Sequence, residues 1–227
     1  MSPIPLRPKL LSCRLIPQVD KAMLTSLGGD PSRHTSIGLV TCDQDDSMYA
    51  ALDHATKFAQ VDVIYAKSFY AGAAHASGPY SGEILGVLAG PDPDEVSEGI
   101  WALREALKDQ ICFYTLPGDE QPAFFPHVIS SLGRYLSAVS GLEPGAPMAY
   151  LIAPPIEAMV AVDQALKAAD VRLVKLFGPP TETNFGGAYL TGALNEVEAA
   201  ARAFSEAVAQ VAARPLESAT RPDRLRR

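Results

Sequence analysis

ALDHATKFAQVDVIYA (residues 51–66) and AVDQALKAADVRLVKL (residues 161–176) are two versions of one stretch. They align without a gap: Ala51, Asp53, Ala55, Lys57, Ala59 and Val61 fall on Ala161, Asp163, Ala165, Lys167, Ala169 and Val171. A solenoid needs about three repeats or more, so the reading is two fused copies of one compact domain. In the first copy Met48, Ala51, Leu52, Ala55, Phe58 and Ala59 recur at helical spacing and make an apolar face. Asp53 and Lys57 stand on the opposite face as an acid four residues before a base, a pattern that supports an exposed helix surface, and Asp163 and Lys167 repeat it. The period then changes, and VDVIY (61–65) and VRLV (171–174) read as short strands. Each copy therefore holds a helix that packs on the strand following it.

The length of 227 residues suits two domains of about 100–110 residues each. A net charge of −7 argues against a nucleic-acid surface. Three cysteines (Cys13, Cys42 and Cys112) are an odd number without metal-ligand spacing, which points to a reducing compartment with neither a disulfide framework nor a metal. No run approaches the roughly 18 consecutive apolar residues of a membrane span. The N-terminal stretch MSPIPLRPKLLSCRLIP is broken by four prolines and lacks the apolar core of a secretion signal. The expectation is a cytoplasmic protein with no membrane or nucleic-acid partner.

Around the repeats the chain alternates strands and helices. Residues 1–10 read as an irregular arm, 11–19 as a strand, 20–28 as a short helix ended by Gly28-Gly29, 36–41 as a buried strand and 83–89 as another. Pro91-Asp92-Pro93-Asp94 opens a helix, with prolines and acids where a first turn favours them. In the second copy, residues 111–117 read as the counterpart of the 11–17 strand, 124–140 as a helix on the spacing of Phe125, Val128, Ile129, Leu132 and Leu136, and 148–153 and 188–191 as strands. Residues 194–213 form the last helix, and 214–227 are a polar, mostly basic tail. This alternation favours an α/β (α+β) layered architecture, each half a sheet of about four strands covered by helices on one side. The expected division is 1–109, 110–213 and the tail 214–227.

Few residues invite chemistry. TCDQDD (41–46) places Asp43, Asp45 and Asp46 between a strand and a helix. At least one of Asp45 and Asp46 is expected to accept from free N–H groups of the first helical turn. An acid cluster can also hold a hard cation, although the glycine and terminal glutamate of a calcium loop are missing. Two loops, 67–82 and 177–187, are long and rich in small residues. The first lacks the Lys-Ser/Thr ending of a phosphate-binding loop. His34, His54 and His127 are scattered, with no serine or cysteine triad. No catalytic group and no cofactor site is expected.

Beyond the repeat, CDQDD (42–46), YAGAAH (70–75), SGEIL (81–85), PMAYLIAPP (147–155), TETNF (181–185) and YLTG (189–192) occur in an order that resembles the tandem-domain bacterial microcompartment shell proteins, and among them those of ethanolamine utilization. The likeness runs over residues 10–213. It implies a circularly permuted shell domain in each half and a homotrimer that tiles with other shell proteins around an enzyme core. It also implies a central pore gated by loops, with Tyr70, Gly72, His75 and Ser77 in the first, and smaller pores within each subunit. On this resemblance Asp45, Asp46, Glu83, Phe113, Thr183, Asn184 and Phe185 line a small pocket for ethanolamine or a similar polar metabolite. Carboxylates and acceptors suit an ammonium, and an aromatic face adds cation–π attraction. Without the resemblance, Glu83 reads as an exposed strand end, and Phe113 and Phe185 as core. The function expected is a structural, selectively permeable barrier rather than an enzyme. The alternative is a small-molecule sensor built of two related α/β domains. A hydrolase using the aspartates lacks a nucleophile or ligand set.

Overall fold

A computed structural model describes residues 2–69, 82–118, 121–179, 181 and 184–216. The first sheet runs β2-β3-β5-β4, from β2 (Leu10–Ile16), β3 (Ser36–Cys42), β4 (Asp62–Ser68) and β5 (Ile84–Gly90), all antiparallel. Two helices cover one face: α2 (Asp45–Phe58), which is the first repeat, and α3 (Pro93–Asp109). The short α1 (Lys21–Ser26) sits over the other face, where Leu24 joins Val19, Ile37, Val87 and Ala89. Asp20 caps α1, and Asp92 caps α3 ahead of Pro93, as its opening residues predict.

The second sheet repeats this order as β7-β8-β10-β9, from β7 (Ala123–Ile129), β8 (Met148–Ala153), β9 (Val171–Phe177) and β10 (Gly186–Gly192). It is extended by β6 (Phe113–Thr115) and then by β1 (Ile4–Leu6), giving six strands. The N-terminal arm is therefore not wholly irregular, and its paired part belongs to the sheet of the second half. Helix α5 (Pro155–Ala168), the second repeat, and α6 (Leu194–Ala213) cover one face.

Three expectations for the second half are corrected. Residues 124–140 are not one helix: they are strand β7, a turn, and the short α4 (Arg134–Ser140). In β7, Phe124 and Val128 face the core under α5 and α6, whereas Phe125 and Ile129 face the core shared with the first half. A strand buried on both faces shows an almost continuous apolar run, and such a run also fits helical spacing. Pro126 lies beyond the β6 pairing, which reaches only Ala123 and Phe124, and stands opposite Leu151 of β8. It follows that β7, not the 111–117 segment, is the counterpart of β2. The second sheet is also covered on both faces: Met148, Tyr150 and Ile152 of β8 join the same core cluster as Met48, Leu52 and Val40 of the first half.

The two repeat helices differ in what they bury. Asp163 and Lys167 form the expected exposed pair at 2.6 Å, with side chains 55% and 67% exposed. Asp53 is instead fully buried. Its carboxylate accepts the backbone N–H of Gly133 at 2.7 Å and of Leu136 at 2.8 Å, so α2 caps the first turn of α4 from outside. Gly133 is required there, because a methyl on it would strike the Asp53 carbonyl and the Thr56 hydroxyl. Arg134 returns the favour at the far end of α2, donating to the carbonyls of Thr56 (2.5 Å), Ala59 (3.2 Å) and Val61 (2.7 Å). Lys57 turns away from Asp53's carboxylate to the carbonyl of Ser131 at 3.1 Å. Phe58, read as part of the apolar face, is 58% exposed and lies beside the His54 ring.

Each buried N–H left without a partner costs about 1–3 kcal/mol. Asp53→Ala is therefore expected to lower unfolding stability by about 2–4 kcal/mol, whereas Asp163→Ala should stay within about 0.5 kcal/mol of the parent, as solvated pairs do. Urea unfolding of the two variants side by side checks this. Equal losses would refute the capping role.

Candidate functional site

Where the halves meet, the structure holds a cavity of about 250 Å³. Asp45, Asp46 and Tyr49 enter it from α2, Ala66 and Ser68 from β4, Tyr135 and Leu136 from α4, Tyr150 and Ile152 from β8, Lys175 and Phe177 from β9 and Tyr189 from β10, with Thr181 beyond β9. Neither half makes this cavity alone. The acids arrive by the local logic of a β-to-α turn: β3 ends at Cys42, and α2 begins at Asp45 with acids in its first turn, where the helix dipole favours negative charge. The cap position itself is Gln44, whose side chain makes no capping bond; Asp45 accepts from the backbone N–H of Asp46 at 2.8 Å.

Asp46 is buried, and the Tyr150 hydroxyl donates to its Oδ1. Burial pushes the Asp46 carboxyl well above the usual carboxylate range, the Asp45 charge adds to the rise, and the Tyr150 bond opposes it. Burial also raises the Tyr150 hydroxyl, with the Asp46 charge next, so the proton stays on the phenol. Tyr150 stands edge-on to Tyr189 at 4.6 Å, and Tyr189 edge-on to Phe177 at 4.8 Å. Tyr49 shares a hydrogen bond with Ser68 Oγ at 2.8 Å and accepts from the Ser68 N–H at 3.0 Å. The Lys175 ammonium rests over the Phe177 ring at 4.9 Å.

The expected pocket residues divide into groups. Asp45 and Asp46 line the cavity. Glu83 lies outside its wall but within electrostatic reach: burial raises its carboxyl first, then the charges of Asp45 and Asp43. It is held at the mouth of the first sheet, its N–H on the Cys42 carbonyl at 2.7 Å and its carbonyl accepting from Phe69 at 2.8 Å. The preceding Gly82 has φ +67°, and a side chain there would meet the Cys42 carbonyl. Phe113 and Phe185 do not line the cavity but face each other edge-on at 6.2 Å, and Phe113 lies 4.9 Å from Phe125, which in turn meets Tyr150. Asn184 adopts φ +64° in a tight turn, its N–H on the Thr181 carbonyl at 3.1 Å. Thr183 and the pore-loop positions Tyr70, Gly72, His75 and Ser77 lie outside the described residues.

The tyrosines and Lys175 escaped the sequence reading. Their signal was a tyrosine in an otherwise apolar or small-residue strand, MAYLIA and GGAYLTG, since a buried phenol needs a partner for its hydroxyl. The remaining reactive groups have other environments. Cys42 is buried and its thiol pushed up to about 12, chiefly by burial. His127 is pushed down to about 4 by burial, then by Lys57. His34 accepts the Asp30 N–H on Nδ1 at 3.1 Å and so presents its Nε2–H to Asp62, also at 3.1 Å. Among the described residues no cluster of three or more His, Cys, Asp or Glu could hold a metal ion, and no helix is long and apolar enough to cross a membrane.

Because Asp46 titrates higher when folded than the roughly 3.9 of a free aspartate, it contributes stability below about pH 4 that is lost as pH rises through its folded value. Asp46→Asn keeps an acceptor for Tyr150 and removes the titration. Its stability relative to the parent is expected to be nearly equal at pH 4 and to grow toward pH 7, as read by thermal unfolding across pH. A gap that shrinks with pH would overturn this assignment.

Residues 36–117, starting at β3, match the BMC domain family model. The chain is 47% identical over 211 residues to the bacterial microcompartment shell protein EutL of Clostridium perfringens, covering 93% of this chain and 97% of that protein. It is 43% identical over 214 residues to EutL of Salmonella typhimurium, covering 94% and 97%. The crystal structure of the ethanolamine utilization protein EutL from Leptotrichia buccalis superposes with a TM-score of 0.91 at 50% identity, covering 96% of this chain and all of that one. The Clostridium and Salmonella relatives are named as shell proteins. The chain belongs to the bacterial microcompartment shell proteins of the EutL type, with two tandem, circularly permuted shell domains.

Proposed function

We propose that this shell protein assembles as a homotrimer, a pseudohexagonal tile that meets other shell proteins edge to edge, and that each subunit passes a small polar amine such as ethanolamine by way of the cavity between its halves. The domains are taken as 1–109 and 110–213. A central pore, gated by the loops 67–82 and 177–187, completes the proposal. The observation that carries the amine reading is the pair Asp45 and Asp46 in a cavity walled by hydroxyls and aromatic rings. An ammonium there gains charge-assisted hydrogen bonds and the negative faces of the rings. Glu83 adds negative potential from just outside.

Asp46 deepens the mechanism. Its raised carboxyl gives up its proton when an ammonium binds, because a neighbouring positive charge favours the anion. Amine binding should thus release protons and tighten as pH rises through the folded value of Asp46, while the amine itself stays protonated. Binding remains weak, since a tightly held metabolite would block its own passage.

Light scattering should give a mass near three chains, with hexagonal sheets in negative stain; a monomer or dimer without sheets would remove the tile. Asp45→Asn with Glu83→Gln should abolish ethanolamine binding in calorimetry while keeping that mass. Unchanged affinity would remove the pocket.

A further inference from the structure

The cavity carries both signs of charge. Asp45 and Asp46 line it from α2, and the exposed Lys175 of β9 lines the same space. Lys175 makes no ion pair among the described residues. Its ammonium rests over the Phe177 ring at 4.9 Å, a contact that orients the side chain without neutralising it. Strand pairing sets Lys175 directly opposite Tyr189, and the Tyr189 ring touches Tyr150, which donates to Asp46. One short path of packed groups therefore connects the cation to the acids, across a volume of about 250 Å³, that of roughly eight waters.

A simple amine uses only half of this arrangement. Its ammonium satisfies the acids but shares a small space with a second ammonium that makes no ion pair among the described residues. We propose that the cavity is built for a zwitterion: a compact molecule whose ammonium sits on Asp45 and Asp46 and whose carboxylate or phosphate sits on Lys175. This rests on the amine-site reading and adds Lys175 as its specificity-determining residue. Phe177, Tyr49 and Ser68 line the same space, an apolar face and hydroxyls that suit a short spacer between the two charges.

Calorimetry on the full chain tests this with ethanolamine, β-alanine, O-phosphoethanolamine and, as an anion without an amine, propionate. A half-exposed ion pair contributes modestly, so the two zwitterions should bind about fivefold more tightly than ethanolamine. Lys175→Met keeps the apolar stem over Phe177, and in this variant the advantage should vanish while ethanolamine binds as well as before or better. A phosphate advantage without a carboxylate one would assign the phosphate class. Ethanolamine binding equal to or tighter than both zwitterions in the parent, or an advantage that survives Lys175→Met, would overturn the proposal and leave the amine site standing. Propionate binding as tightly as β-alanine would also overturn it. Failure of every amine to bind, or unchanged binding in the Asp45→Asn, Glu83→Gln variant, would instead remove the amine site beneath it.

Discussion

The buried carboxylate of Asp53 reaches from one half of this molecule to the other. Asp53 leaves α2 and caps the first turn of α4, while Arg134 leaves α4 and satisfies carbonyls at the end of α2 and just beyond it. Helix ends carry N–H and C=O groups that must find partners when buried, and here each of two helices supplies the other's. The exchange demands close approach, which Gly133 permits and a side chain would forbid. Burial raises the Asp53 carboxyl, and its backbone partners pull it back down. The contact is worth its desolvation only where both helices are held in this one arrangement.

The cavity depends on that arrangement. Its acids and Tyr49 stand on α2, Tyr135 on α4, and Tyr150, Lys175 and Tyr189 on β8, β9 and β10. The shared core runs through the same seam, with Met48 and Leu52 of one half against Tyr150 and Ile152 of the other. Moving α2 along the second sheet would separate Asp46 from the Tyr150 hydroxyl and change its protonation. Packing and charge are thus set at one interface.

The two repeats show how fused copies diverge. Both kept an aspartate and a lysine four residues apart. In α5 they remain a solvated pair, and in α2 the aspartate is buried and the lysine bonds to the Ser131 carbonyl. The difference lies not in the helix but in what covers it: α2 faces the second sheet and α4, whereas Asp163 and Lys167 face solvent. The second sheet correspondingly lost its open face and gained two strands, one of them from the N-terminal arm.

The sequence by itself determined the repeated unit, the alternation of strands and helices, the favoured start of α3, and the acid turn at Asp45 and Asp46. All of these are local: periodicity, caps and turn chemistry act over a few residues and can be read from a few residues. Tertiary structure alone decided that β7 is a strand, because an apolar run buried on both faces has no polar side to reveal its period. It alone decided that Asp53 is inside and Asp163 outside, because identical spacing says nothing about the neighbour. And it alone brought Lys175, Tyr150 and Tyr189 to the acids. They lie more than a hundred residues away in the chain, and only the packing of one half against the other puts them in the same cavity.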